Sequence, residues 1–216
     1  MKGKQVKTLI INTHPLYGDN NHFSQKLMKL FIEKYKENFN TYNLEILNLY
    51  EQDIPVIDKN MLTMWAAQAT GLKLDDSQKQ LAKRQKELLE QFNNSHRVVI
   101  VAPTYNFNIT SKMKDYMDNV LIARETFMYT EDGPKGLMTD DYRVMLLAAS
   151  GSINVQDGRV SPIEFQNHYL KTAFCDIMGF DSFHIVRAQG VALRTADEVM
   201  MEATRNLDIE FKKFYQ

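Results

Sequence analysis

The stretch Arg97-Val-Val-Ile-Val-Ala-Pro-Thr-Tyr-Asn-Phe-Asn-Ile-Thr110 decides the fold. Val98 to Ala102 is an apolar run too short for a helix and rich in β-branched side chains, the pattern of a strand buried on both faces of a parallel sheet. Pro103 has no N–H to donate and ends the ladder. Thr104, Tyr105, Asn106 and Phe107 therefore fall on the loop at the strand's carboxyl end, ahead of a helix predicted to start near Ser111. Ligands of open α/β sheets bind along that edge. A Tyr-Asn-Phe loop offers a flat aromatic surface with amide donors and acceptors, which suits a planar heteroaromatic ring. Taken by itself, the loop reads more simply as a β-to-α turn in which Asn106 bends the chain and both rings cover core. The rest of the chain has to decide.

Working outward, Val6 to Ile11 is a second short apolar run, followed by a loop through His14, Tyr17, Gly18, Asp19, Asn20 and Asn21. Phe23, Leu27, Leu30, Phe31 and Tyr35 then recur at helical spacing. Thr41 to Leu49 alternates apolar and polar residues, as a half-exposed strand near an edge does. Met61 to Ala69 reads as a short helix with an unusually apolar face around Met64 and Trp65, which suggests a dimer contact. Asp75 or Asp76 can cap a helix running to about Phe92. Beyond the central strand, a helix is predicted over 111–124 and a glycine- and proline-punctuated loop over 127–136. Arg143 to Ala149 is the fourth strand, trailed by a polar loop to Ser161. Pro162 suits the first turn of a helix running to Met178, with Gly179 as its stop. Phe183 to Ala188 is the fifth strand and Ala196 to Phe214 the closing helix. Strands alternate with helices five times across 1–216 with no repeat or linker, so a single domain is predicted. Right-handed crossovers favour a flavodoxin-like, five-stranded parallel sheet in the order 2-1-3-4-5, helices on both faces, and a ligand crevice between the first and third strands.

Three loops then lie side by side at the carboxyl edge: 13–21, 104–107, and Ala149, Ser150, Gly151 and Ser152. The first opens a helix, whose free N–H groups and dipole favour an anion such as phosphate. It has neither the Walker nor the Gly-x-Gly-x-x-Gly pattern, and it lacks Lys and Arg. A receiver domain would need acidic residues where Asn12-Thr13-His14 and Pro103-Thr104 stand. A hydrolase would need a Gly-x-Ser-x-Gly elbow, so Ser150 reads as a turn residue rather than a nucleophile. No acid, base and nucleophile assemble elsewhere, which fits chemistry carried by an external cofactor.

Composition narrows the setting. A formal net charge of −1 gives no electrostatic reason to expect a nucleic acid or a membrane surface as partner. The lone Cys175 excludes an internal disulfide framework and reads as a core residue, and no Cys/His cluster has zinc spacing. Met1 to Lys7 is polar, and no apolar stretch nears the roughly 20 residues that cross a bilayer. A cytoplasmic location is the expectation. His22, His96, His168 and His184 read as surface or core residues.

Pro103-Thr104-Tyr105-Asn106-Phe107-Asn108-Ile109 resembles the Pro-Met-Tyr-Asn-Phe-Asn-Ile motif of the flavin-dependent NADH:quinone oxidoreductase/azoreductase family. Phe127-Met128-Tyr129-Thr130-Glu131-Asp132-Gly133-Pro134-Lys135-Gly136-Leu137 is similar to that family's Phe-x-Tyr-Thr-Glu-x-Gly-Pro-x-Gly-Leu, and Ala188-Gln189-Gly190-Val191-Ala192 to its Ala-Glu-Gly-Ile-Ala. Two segments depart from it. The family's serine-rich phosphate loop stands here as His14-Pro15-Leu16-Tyr17-Gly18-Asp19-Asn20-Asn21, and its Ser-Arg-Gly-Gly as Ala149-Ser150-Gly151-Ser152. The resemblance implies FMN as cofactor, with FAD the alternative because the His-Pro pair also resembles the FAD quinone reductases of the same fold. It implies NADH or NADPH as reductant, a quinone or azo acceptor, ping-pong turnover and a homodimer with the flavin at its interface. Carried over by position, His14, Gly18, Asp19 and Asn20 surround the phosphate. Thr104, Tyr105, Asn106 and Phe107 line the isoalloxazine edge, and Ala149, Ser150, Gly151 and Ser152 flank its other end. Phe127 and Tyr129 then shape the substrate pocket, unless they only anchor their loop to the core. A flavin carrier or flavin-sensing module without turnover is the rival from another class.

Overall fold

The apolar runs place themselves at the centre of the molecule. In the computed structural model, which describes residues 6–156 and 158–216, the strands are β1 (Thr8–Asn12), β2 (Leu44–Asn48), β3 (Arg97–Pro103), β4 (Phe127–Thr130), β5 (Gly133–Gly136), β6 (Arg143–Ser150), β7 (Val155–Gln156), β8 (Arg159–Val160) and β9 (Ser182–Gln189). The helices are α1 (Phe23–Asn38), α2 (Lys59–Thr70), α3 (Asp76–Asn93), α4 (Ser111–Val120), α5 (Phe165–Lys171) and α6 (Ala196–Tyr215). The residues Met1 to Gln5 of the polar opening, and Asp157 in the loop toward Ser161, lie outside the described residues.

Five strands form one parallel sheet in the order β2-β1-β3-β6-β9. That is the predicted order 2-1-3-4-5. Every residue of β1 and β3 is buried, whereas β2 is only partly covered, as an edge strand should be. The expected alternation through Tyr42, Leu44 and Ile46 does not hold, because Tyr42 lies in the turn before the strand and Ile46 is exposed while Leu47 is buried. Leu9, Ile11, Val98, Ile100 and Leu146 face one core layer with Phe92, Met117 and Phe174, and Ile10, Val99, Val101 and Leu147 face the other with Phe31, Leu207 and Phe211. Covering both sheet faces is what lets a near-continuous apolar strand exist in water. Asp75 closes a capping box with Gln78 at the start of α3, and Thr195 closes one with Glu198 at the start of α6.

Several local expectations change. The helix after the central strand stops at Val120 rather than near Arg124, where Arg124 itself has φ +74°. Residues 127–136 form an antiparallel hairpin, β4 with β5, rather than an irregular loop. A Cβ on Gly136 would lie 2.4 Å from the Met178 carbonyl, so the hairpin can lie against the chain there only because residue 136 has none. Pro162 precedes its helix, which begins at Phe165 and continues as a π-helical turn over Thr172–Ile177. Gly179 ends that segment with φ +89°, as predicted. Cys175 is half-buried against the core, and burial pushes its thiol above the ordinary value. The apolar face of α2 is covered within the chain in part: Met61 and Met64 are buried, and Trp65 Nε1 donates to Gln85 Oε1 of α3 at 3.0 Å, while Leu62, Ala66 and Ala69 remain exposed.

Candidate functional site

The end of β1 is locked before its loop begins. Asn12 and Gln25 exchange two buried amide hydrogen bonds of 3.0 and 2.9 Å, which fix the first turn of α1 against the strand. Thr13 binds Val101 O through both its N–H and its hydroxyl. The next residue, His14, accepts from Leu16 N at Nδ1 (3.0 Å), so its neutral form carries the hydrogen on Nε2. Its ring centroid lies 4.3 Å from that of His22, the residue that precedes α1. Burial, then the neighbouring His22, hold the His14 pKa below the ordinary value against the opposing pull of Asp19. Asp19 Oδ1 accepts from Asn21 N, and its other oxygen stands 3.5 Å from His22 Nε2. Asp19 therefore faces His22 instead of capping the helix.

Helix α1 leaves its first-turn N–H groups free by geometry, and no side chain caps them. Among the described residues, Ser24 Oγ in that turn is fully buried with no hydrogen-bond partner. An orphaned hydroxyl carries a desolvation penalty of about 1–3 kcal/mol, which a ligand acceptor would relieve.

The central loop carries a different kind of tension. Tyr105 and Asn108 exchange backbone hydrogen bonds of 3.2 and 3.0 Å around Asn106 (φ +48°) and Phe107 (φ +66°). Positive φ at both inner positions is the type I′ pattern, which ordinarily takes Asn-Gly. A phenylalanine held there costs about 1–3 kcal/mol and persists only where neighbours enforce it. Tyr105 and Phe107 stay about half exposed, so neither ring covers core as a plain turn would require. Across β3 and β6, Thr104 N donates to Ala149 O at 2.8 Å. Ser150 Oγ donates to Ser152 O at 2.9 Å, which gives that serine a turn role.

A cavity of about 310 Å³ opens between these loops, lined by His14, Asn21 to Ser24, Pro103 to Tyr105, Ala149 to Gly151, and Val191. It gathers six of the predicted residues: His14, Thr104, Tyr105, Ala149, Ser150 and Gly151. Asn106, Phe107 and Ser152 stand on its bordering loops, and Gly18 and Asp19 on the loop before α1, without lining it. Asn20 lines a separate groove with Lys26 and Lys29. Phe127 is buried and packs edge-on to Tyr129 at 5.2 Å, while Tyr129 is 74% exposed; neither lines the cavity. Sequence reasoning missed His22 and Ser24. The signal for both was their position at the start of the first amphipathic helix, where free donors gather. Among the described residues, no three His, Cys, Asp or Glu are placed to hold a metal, and no helix is long and apolar enough to cross a membrane.

The family described as "flavodoxin-like fold" matches residues 6–209. The chain is 44% identical to an FMN-dependent NADH:quinone oxidoreductase of Streptococcus agalactiae, covering 97% of this chain and 99% of that one. It is 43% identical to an FMN-dependent NADH:quinone oxidoreductase 1 of Lactiplantibacillus plantarum, with the same coverage of both chains. A crystal structure of an FMN-dependent NADH-azoreductase from Bacillus anthracis in complex with FMN superposes with a TM-score of 0.93 at 40% identity, over 98% of this chain and 100% of that one. Coverage from end to end at such identity leaves one conclusion: the chain belongs to the flavodoxin-like family of FMN-dependent NADH:quinone oxidoreductases and azoreductases.

Proposed function

We propose that this chain binds FMN and carries two electrons from NADH or NADPH to a quinone or an azo compound, in alternating half-reactions at one pocket. The observation that carries the reading is the cavity between the three loops. In it the buried Ser24 hydroxyl, partnerless among the described residues, and the His14–His22 pair meet Thr104 and Tyr105, the start of the loop that carries Asn106 and Phe107. FMN joins a phosphate to a flat ring, and this donor set fits both parts. Ser24, the first-turn N–H groups of α1 and the two histidines would hold the phosphate, bordered by Gly18, Asp19 and Asn20. Thr104 to Phe107 and Ala149 to Ser152 would orient the ring and exclude water from its reacting edge. When bound, FMN supplies the reversible two-electron chemistry that no side chain here can.

The same edge supports a homodimer. Leu16, Tyr17, Tyr105, Phe107 and Ile163 on the loops, with Phe165 at the start of α5, are all exposed on this side of the sheet, more apolar surface than a free loop cluster needs. A second copy seated there would cover it, and the part of Phe127 and Tyr129 in the acceptor pocket belongs to that assembly. The reading places one domain, 1–216, in the cytoplasm.

The test is direct. Purified protein should be yellow, release a cofactor with the mass of FMN rather than FAD, and oxidise NADH steadily when a quinone is supplied. A protein that binds neither flavin at micromolar concentration overturns the reading. Flavin binding without turnover returns the chain to the carrier class.

A further inference from the structure

The central loop is strained, and something must hold it. Asn106 and Phe107 both sit at positive φ. The fastening comes from the first turn of α5. Gln166, only 2% exposed, donates from Nε2 to Pro103 O at 3.1 Å and accepts from Thr104 Oγ1 at 3.0 Å. Its backbone N–H donates to Phe107 O at 3.3 Å. One residue thus grips the loop at its start and at its strained end. The amide is used in the only sense that works: its nitrogen faces a carbonyl, and its oxygen faces a hydroxyl. The grip has a fixed base, because buried Glu164 accepts from Arg187 Nε and Nη2 at 3.1–3.2 Å, tying the start of α5 to β9.

We infer that Gln166 is a positioning residue for the cofactor ring: it holds the Thr104–Phe107 loop in its left-handed turn, and it acts through Thr104 and Phe107 without touching the ligand. The inference rests on reading that loop as the ring-binding edge. Since it concerns the ring and not the phosphate, FMN and riboflavin should respond alike.

Three variants test it: Gln166→Leu, Gln166→Glu and Thr104→Val. Flavin-free protein is titrated with FMN and with riboflavin, and amide hydrogen exchange is followed in the loop and in β1. Gln166→Leu removes both side-chain hydrogen bonds and should weaken both flavins by the same factor, roughly five- to fiftyfold, with faster exchange at 104–108 only. Thr104→Val removes one bond and should cost roughly three- to tenfold. Gln166→Glu provides the reading a merely structural role would not move. As a carboxylate it faces the Pro103 carbonyl and fails, but protonated it can donate again, so riboflavin affinity should recover as pH falls from 8 toward 5. Should Gln166→Leu not fold, the other two variants carry the test. Unchanged flavin constants beside a lowered melting temperature overturn the inference, as does loss of FMN affinity with riboflavin untouched. If the unaltered chain binds no flavin, the functional reading falls, while loop exchange in the three variants still decides whether Gln166 fastens the turn.

Discussion

The two edges of the central sheet follow opposite rules. At the amino edge Arg97 is 2% exposed, and its guanidinium donates to Phe214 O, His96 O and Asp141. Asp141 also accepts from Arg143, which donates onward to Lys213 O, and the Thr8 hydroxyl meets the Tyr215 hydroxyl at 2.8 Å. The charges there are closed on one another and clamp the end of α6 to the strands. At the carboxyl edge a buried hydroxyl has no partner, two consecutive non-glycine residues hold positive φ where the amino edge has Asp141 alone at +56°, and aromatic rings face out. Among the described residues, four other buried polar atoms lack partners, on Gln85, Asn93, Tyr116 and Asn119, but of these orphans only Ser24 lines the cavity between the loops. One edge closes its polar groups within the chain, whereas the other keeps a buried donor and a strained turn beside an open cavity, the arrangement expected where a ligand is to bind.

Removing the clamp should give the largest effect. Arg97→Ala strands the Phe214 carbonyl and leaves half-exposed Asp141 with Arg143 alone; an unsatisfied buried acceptor costs about 1–3 kcal/mol, and the lost packing of the arginine stem adds to it. Urea unfolding should show that drop, while the fraction that remains folded binds FMN with an unchanged constant. A large change in flavin affinity would mean that the edges are coupled, and the contrast would fail.

Ser24→Ala probes the other edge with the opposite sign pattern. Deleting an unpartnered hydroxyl should leave the flavin-free protein as stable or slightly more so. FMN affinity should fall roughly tenfold, the value of a hydrogen bond to a charged group, and riboflavin affinity should not move. Equal losses for both ligands would detach Ser24 from the phosphate.

The edges should also titrate in different windows. Burial raises the Asp141 pKa, but Arg97 and Arg143 outweigh it and hold it below the usual 3.8. A depressed carboxyl contributes stability above its unfolded pKa and loses it as pH falls through the folded one, so this edge weakens only in strong acid, modestly because Asp141 is half-exposed. His14 is depressed from 6.5, chiefly by burial. The unfolded chain then binds more protons below 6.5, and the flavin-free protein should lose stability as pH falls from there toward the folded value. In His14→Asn, where Oδ1 can still accept from Leu16 N, that slope should vanish from urea unfolding run between pH 5 and 7.5. A phosphate beside the pair would reverse the penalty, so FMN binding should take up protons, which calorimetry in two buffers measures.

The legibility of the sequence divides along the same line. Strand order and core were readable because burial writes itself into composition: Val98 to Ala102 can only be an interior strand, whereas the cap of α3 stayed open between Asp75 and Asp76 until the Asp75–Gln78 box settled it. The hairpin at Phe127–Gly136 was not, since Gly133-Pro134 breaks an apolar pattern already mostly exposed. Nor was the start of α5, where Pro162 supplied a helix signal three residues early. At the site, loops that end strands were placed correctly by topology alone. His22 and Gln166 escaped because their roles depend on a ring 4.3 Å away and on carbonyls some 60 positions distant, neither of which leaves a periodic trace.

The smallest effect separates geometry from contact within the central loop. Asn106 tolerates φ +48° better than most side chains, and its amide is exposed at the tip of the loop. Asn106→Ala should cost the flavin-free protein about 1 kcal/mol through the left-handed backbone alone. Asn106→Gly removes that strain and should leave stability near the parent value, since glycine occupies positive φ freely. Both variants delete the amide. If the amide meets the ring, both should weaken FMN and riboflavin roughly threefold, the worth of one net hydrogen bond, whatever their melting temperatures. If Asn106 serves only the turn, the glycine variant should bind flavin as the parent does and the alanine variant should follow its loss of stability. Melting temperatures of the flavin-free proteins, set beside two dissociation constants each, distinguish these outcomes. A glycine variant with parental affinity would reduce the loop's chemistry to its backbone, its rings and the grip of Gln166.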